Sequence, residues 1–366
     1  MSSYALSARV LNRALLCRQL LLERVQMPAI AAIDKLAGMQ SQAPLTPYIG
    51  LWARLADFRH EELAGLLTQR AAVRLSMMRS TIHLVSAQDA LAFRPLLQPV
   101  MDRALKGAYG KRLAGLELAE VAAAGRSLVE KKPLTLGDLG AALQDRWPDR
   151  DPQALANAVR NLAALVQVPP RGIWGESGLA AQTTAEAWLG SEWSAASPEA
   201  LVRRYLGAFG PASIKDMQTW SGLTGQRTVF AGMKDELISF TDENGTELFD
   251  LPGSPLPDPD MPAPVRYLSE FDNIILAYAD YTRLVTPAHR KLVISDNGIV
   301  RAMLLVDGFV RGIWRIEQER NAATLIVRLF EPITPAEREA AAEEGERLLR
   351  FAAADAPNHH LVFESI

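Results

Sequence analysis

The chain has 366 residues, 49% of them hydrophobic and 22% charged, with a formal net charge of -3, the composition of a folded globular protein with room for two or three domains. No apolar run approaches the roughly 20 residues of a membrane helix. The start, Met1-Ser2-Ser3-Tyr4-Ala5, lacks a signal-peptide layout, and the single Cys17 excludes an internal disulfide or a thiol pair for zinc, so a cytoplasmic protein is expected.

The charge is uneven. Residues 1–116 hold 15 Lys/Arg against 7 Asp/Glu, a balance of +8 that leaves -11 for the rest, partly in an acidic run over 335–355. Phosphates sense charge within about 8–10 Å, so this local surplus matters more than the total. Of the 39 basic residues 31 are arginine, whose planar fork suits phosphates and base edges.

Leu11, Leu15, Leu22 and Val25 share one helical face, and a second helix is predicted over 28–39, opened by Pro28. Gly38-Met39-Gln40-Ser41-Gln42-Ala43-Pro44 closes it and sets two neutral amides, Gln40 and Gln42, beside a turn that Pro44 and Pro47 keep from being ordinary helix. By residue type alone these are solvated glutamines at a helix end. A helix over 60–69 and a strand over 73–85 follow, with Met78, Ser80, Ile82 and Leu84 on one face and Arg79, Thr81 and His83 on the other.

The order of helices and then a hairpin recurs. Helices are predicted over 116–131, after the capping box Thr135-Leu136-Gly137-Asp138, and over 152–165. Residues 166–168 and 173–175, flanking Pro169-Pro170-Arg171-Gly172, read as a two-stranded wing. A third round has helices over 198–209, after Ser213 and over 224–233, then strands around Asn244-Gly245, a strong hairpin signal. After a Pro- and Asp-rich linker over 251–264, strands are predicted over 290–295, 299–306, 309–317, 323–330 and 361–365, with one acidic helix over 335–354. The fold class is α+β, mostly α: three tandem winged-helix units around a concave surface, with boundaries 1–95, 96–192 and 193–260, and a β-rich region over 261–366.

The five histidines lack metal-ligand spacing, and no G-x-S-x-G, G-x-G-x-x-G or P-loop motif occurs. No cofactor and no metal are expected. Several motifs together resemble the AlkZ/YcaQ family of winged-helix DNA glycosylases. They are Gly38 to Gln42 with Pro47-Tyr48-Ile49-Gly50-Leu51-Trp52-Ala53-Arg54-Leu55, Met78-Arg79-Ser80-Thr81-Ile82-His83-Leu84-Val85, Pro170-Arg171-Gly172-Ile173-Trp174-Gly175, Arg204 to Ala212, and Glu270-Phe271-Asp272-Asn273. The resemblance implies a concave DNA-binding surface and removal of N7-alkylated guanines, including those in interstrand cross-links, by a monofunctional glycosylase acting as a monomer on double-stranded DNA. It places the catalytic Gln-x-Gln motif on Gln40 and Gln42; a sister branch has Asp at the second position. Ser80 stands where the family has Gly, and Tyr278 and Tyr281 where it has His and Arg.

Two amides suffice if the base is already cationic. Such a base leaves as a neutral molecule without protonation, and what remains is to hold a water beside the sugar and to turn dipoles toward its developing charge. Arg54, Arg79, His83 and Arg171 are the expected DNA contacts, each with a structural alternative: Arg54 paired to an acidic neighbour, His83 as a core histidine. Trp174 reads as core packing. A non-catalytic winged-helix regulator is the alternative function.

Overall fold

The computed structural model describes residues 5–194 and 196–365; the sequence reading of Met1 to Tyr4 lies outside them. The first stretch runs β1 (Ala5–Leu6), α1 (Ala8–Arg18), α2 (Ala29–Lys35), β2 (Met39–Gln40), α3 (Thr46–Trp52), α4 (His60–Thr68), β3 (Ala72–Ser76), β4 (Ile82–Ser86), α5 (Ala87–Phe93) and α6 (Gln98–Tyr109). The second runs α7 (Leu118–Lys131), α8 (Leu136–Gln144), α9 (Pro152–Leu162), β5 (Leu165–Gln167), β6 (Gln182–Thr184) and α10 (Ala185–Leu189). The third runs α11 (Pro198–Phe209), α12 (Ile214–Ser221), α13 (Gln226–Gly232), β7 (Ile238–Asp242) and β8 (Glu247–Asp250). The last comprises β9 (Arg266–Leu268), α14 (Asn273–Leu276), α15 (Pro287–Val293), β10 (Met303–Val306), β11 (Phe309–Glu319), β12 (Ala322–Leu329), α16 (Pro335–Ala352) and β13 (Asn358–Ser365). The structure is thus mixed helix and sheet.

Several predicted boundaries move, each for a local reason. α1 stops at Arg18 because Leu20 takes a left-handed φ of 57°, so Leu22 and Val25 leave the helix and Val25 bridges to Leu55. α2 stops at Lys35, where Ala37 and Gly38 turn left-handed (φ 58° and 80°) and Met39–Gln40 becomes strand. Pro47 does not prevent a helix; it occupies the first turn of α3, where its missing N–H has no intrahelical partner to lose. Residues 73–85 form a hairpin, β3 and β4, around a tight turn in which Arg79 and Ser80 hold φ of 56° and 60°. The position where the family has Gly therefore requires positive φ, and Ser80 adopts it against its own preference. Residues 290–293 lie in α15, capped by Thr286 with Pro287 in its first turn.

β5 pairs with β6, so the second strand of the predicted wing is 182–184 and not 173–175. β5 also pairs with β3, joining Arg74 to Gln167 and Leu75 to Val166. The first two hairpins therefore share one five-stranded sheet, ordered β2-β4-β3-β5-β6. β7 and β8 form a second sheet with β1, and β13-β12-β11-β10-β9 a third. A buried cluster runs continuously from Leu15 to Ala353, tying the first and third stretches to the C-terminal sheet, while Leu105 to Leu165 form a separate core under α7, α8 and α9. Among the described residues no helix is long and apolar enough to cross a membrane.

Gly38 sets the register of the glutamine segment. A Cβ there would meet Val85 Cγ1 at 2.6 Å and the Leu84 carbonyl at 3.2 Å, on a backbone at φ +80°. Gly38→Ala is expected to destabilise the protein by about 2–3 kcal/mol, combining left-handed strain with overpacking. A urea midpoint equal to wild type contradicts this.

Candidate functional site

Met39, Gln40 and Ser41 hang on the edge of the shared sheet. Met39 and Gln40 pair antiparallel with Leu84 and His83, and Ser41 N–H donates to the Ile82 carbonyl at 2.7 Å. Past Ser41 the main chain leaves the sheet, and the Gln42 side chain continues the ladder: its Oε1 accepts from Ile82 N–H at 2.8 Å. Gln40 is 7% exposed and Gln42 is exposed. The Gln40 Oε1 accepts from Arg79 Nη2 at 2.7 Å, and Arg79 Nη1 donates to the Trp220 carbonyl at the end of α12. Each amide oxygen thus has one protein donor and keeps one lone pair.

Two further contacts hold the segment from behind. Arg74, buried on β3, donates from Nε and Nη2 to the hydroxyl and carbonyl of Ser41, both at 2.9 Å. Asn273 Nδ2 donates to the carbonyls of Leu36 and Gly38, while its Oδ1 accepts from Gln40 N–H at 3.3 Å. The Pro170 to Gly175 turn packs onto the same place. Gly172, at φ +93°, lies against the Arg74 side chain, its carbonyl accepts from the Tyr48 hydroxyl at 2.9 Å, and that oxygen accepts in turn from Trp174 N–H at 3.2 Å. Trp174 stacks on His60 with centroids 4.1 Å apart, and His60 lies 4.1 Å from Phe351, so it is packing.

The electrostatics are one-sided. Arg74 and Arg79 bond to the segment directly, Arg171 lies near Arg74, and Arg160 donates from Nε to the Ser76 hydroxyl on β3 at 3.2 Å; among the described residues none of the four is ion-paired with a carboxylate. Burial pushes the guanidiniums of Arg74 and Arg79 down to about 10, with Arg171 adding repulsion at Arg74. Among the described residues, Arg74 Nη1 and Arg171 Nε are buried without a hydrogen-bond partner.

The expected contact residues separate. Arg79 and Arg171, both half-buried, lie at this face. Arg54 does not: it is 1% exposed, and its guanidinium is spent on Asp272, Gln19 and Gly50, leaving nothing for a phosphate. The sequence expectation for Arg54 is corrected to the structural alternative, with the partner 218 residues away. His83 is 2% exposed, its Nδ1 3.0 Å from the Thr81 carbonyl, and it too faces the interior. Tyr278 is buried, its hydroxyl donating to the Phe209 carbonyl at 2.5 Å; Tyr281 is half-buried and near enough to Arg79 to offset in small part the lowering that burial causes there. Asn273, Arg74 and Ser41 were not singled out by sequence; the Glu270 to Asn273 motif was the only signal for the first.

Burial, and then the Arg79 charge, push the His83 imidazole down to about 3. An unfolded histidine titrates near 6.5, so the unfolded chain binds a proton the native state refuses. Stability is lost from this group as pH falls from about 6.5 toward 3, by up to about 1.4 kcal/mol per pH unit. Asp89 acts oppositely: burial outweighs Arg204 and raises it to about 6, so its contribution is lost as pH rises from about 4 to 6. His83→Gln is expected to gain on wild type by about 1 kcal/mol for each unit below pH 6 in urea unfolding at pH 4.5, 5.5 and 6.5; parallel curves contradict the assignment.

A family model described as DNA glycosylase AlkZ-like matches residues 33–351, a span that takes in Gln40, Gln42 and Asn273. A Streptomyces sahachiroi protein described as an interstrand DNA cross-link repair glycosylase is 24% identical over 363 residues, covering 88% of this chain and 92% of that protein. The solved structure of Streptomyces sahachiroi DNA glycosylase AlkZ matches at a TM-score of 0.78 and 20% identity, covering 98% of this chain and all of that one. At that identity the structural likeness speaks for the fold.

Proposed function

The chain belongs to the AlkZ-like DNA glycosylase family, and from that premise we propose that it hydrolyses the N-glycosidic bond of cationic N7-alkylguanines in duplex DNA, with Gln40 and Gln42 positioning the water. The observation that supports this reading is the pinning of both amide oxygens, by Arg79 and by Ile82 N–H, with the guanidiniums of Arg74, Arg79 and Arg171 nearby and, among the described residues, without carboxylate partners. Pinned dipoles need no reorganisation as charge develops on the sugar. The guanidinium on Gln40 draws electron density from its oxygen, whereas the donor on Gln42 is neutral. Gln42, the exposed one, is then the better acceptor for the hydrogen of the attacking water, and Gln40 orients it from the second side. Arg79 belongs to this reading as the residue that holds Gln40, and Arg171 as a phosphate contact from the second hairpin loop. The three successions of helices and hairpin act as tandem winged helices within one monomer and present this face to the duplex.

Amides take up no proton at neutral pH, so a base that must be protonated to leave lies outside this chemistry. Wild-type protein is expected to release 7-methylguanine from a duplex and to leave uracil and hypoxanthine in place. Release of uracil at a comparable rate overturns the mechanism. Cross-links and bulky N7 adducts carry the same positive charge and are expected substrates, because an open face admits them where a closed pocket would not.

A further inference from the structure

A second collection of arginines lies on another part of the molecule. Trp52, at the end of α3 away from Gln42, lies beside a hollow of about 520 Å3 whose apolar floor includes Leu22, Phe58 and Phe351. Arg24, Arg266 and Arg347 also line it. Arg24 is fully occupied: Nε donates to the Trp52 carbonyl at 2.8 Å, and Nη1 and Nη2 to the Glu344 carboxylate at 3.3 and 2.7 Å, with the guanidinium 4.5 Å over the Trp52 ring. That bidentate pair neutralises Glu344. Arg266, on β9, is 7% exposed and reaches the same carboxylate only at 3.5 Å, and among the described residues its Nε is buried without a partner. Arg347, on α16, sits 3.6 Å from Glu344 with its side chain 56% exposed. Three guanidiniums therefore share one buried carboxylate. Glu23 and Asp57 also line the hollow, but both are exposed to solvent, and Asp57 accepts from Gln26. A buried cation without its own counterion is costly unless an anion arrives.

We propose that this hollow is a phosphate site, in which Arg266 from its wall and Arg347 from its rim bind one phosphate group while Glu344 holds Arg24 in place against Trp52. Burial, then repulsion from Arg24, push the Arg266 guanidinium down to about 10, a charge that a bound phosphate would stabilise. The ligand is a phosphate monoester, inorganic phosphate or a backbone phosphodiester of a nucleic acid; all present the oxygens a planar fork grips. The site stands apart from the glutamine segment and its existence does not rest on the proposed reaction.

Titration calorimetry of inorganic phosphate into the full chain tests it. Saturable one-to-one binding is expected in wild type, lost in Arg266→Met and weakened at least tenfold in Arg347→Glu. The second variant changes an exposed side chain and guards against a folding defect in the first. Wild type without saturable phosphate binding, or Arg347→Glu binding as tightly as wild type, overturns the proposal. Duplex binding then assigns the source. If the phosphate belongs to DNA, Arg347→Met lowers the slope of log affinity against log salt by about one. An unchanged slope with phosphate binding lost assigns the site to free phosphate or a nucleotide.

Discussion

Arg54→Ala is expected to remove about 3–5 kcal/mol of unfolding free energy, a large part of the roughly 5–15 kcal/mol that holds a domain together. Both Arg54 and Asp272 have side chains 1% exposed, and two hydrogen bonds of 2.9 and 2.8 Å join them. The substitution leaves a buried carboxylate with no cation, and the carbonyls of Gln19 and Gly50 lose their donor as well. The penalty comes from that stranded charge more than from the lost attraction. Arg54→Met with Asp272→Leu is therefore expected to be less damaged than Arg54→Ala alone. Asp272 precedes Asn273, whose side chain grips the backbone on either side of Gly38, so the pair also anchors the loop that aims Gln40. Urea unfolding of the three proteins checks the claim; a single variant within about 1 kcal/mol of wild type contradicts it.

What the sequence made legible was mostly local. The caps at Thr135 and Ser213 each accept a backbone N–H at the predicted helix start, because an N-cap needs only a hydroxyl and the next three residues. Asn244-Gly245 forms its hairpin for the same reason. Met39–Gln40 is different: a two-residue strand has no periodicity to read, and its partner is β4, more than 40 residues on. The strand predicted over 290–295 overlooked the Thr286-Pro287 start, which was there to be seen. Gln40 and Gln42 stood out for their spacing beside prolines, but their partners Arg79 and Ile82 come from another strand and turn. Arg54 and Asp272 looked alike in sequence to any exposed ion pair, since burial is a property of packing. That β5 extends the sheet of β3 was likewise invisible, because short strands carry no label for their neighbours.

Loss of excision in Gln40→Ala with Gln42→Ala is the largest functional effect expected. Neither residue contributes to the hydrophobic core, so the double variant is expected to fold and to bind duplex DNA. In the proposed reaction these two amides hold the water and oppose the sugar's charge with fixed dipoles, and removal of one such group alone typically lowers rates by about 10²–10³.

The decisive measurement is single-turnover release of 7-methylguanine from a duplex, with enzyme in excess, comparing wild type and that double variant at matched thermal stability. A rate at least about a hundredfold lower in the variant is predicted. Equal rates would show that the carboxamides of Gln40 and Gln42 have no part in breaking the bond.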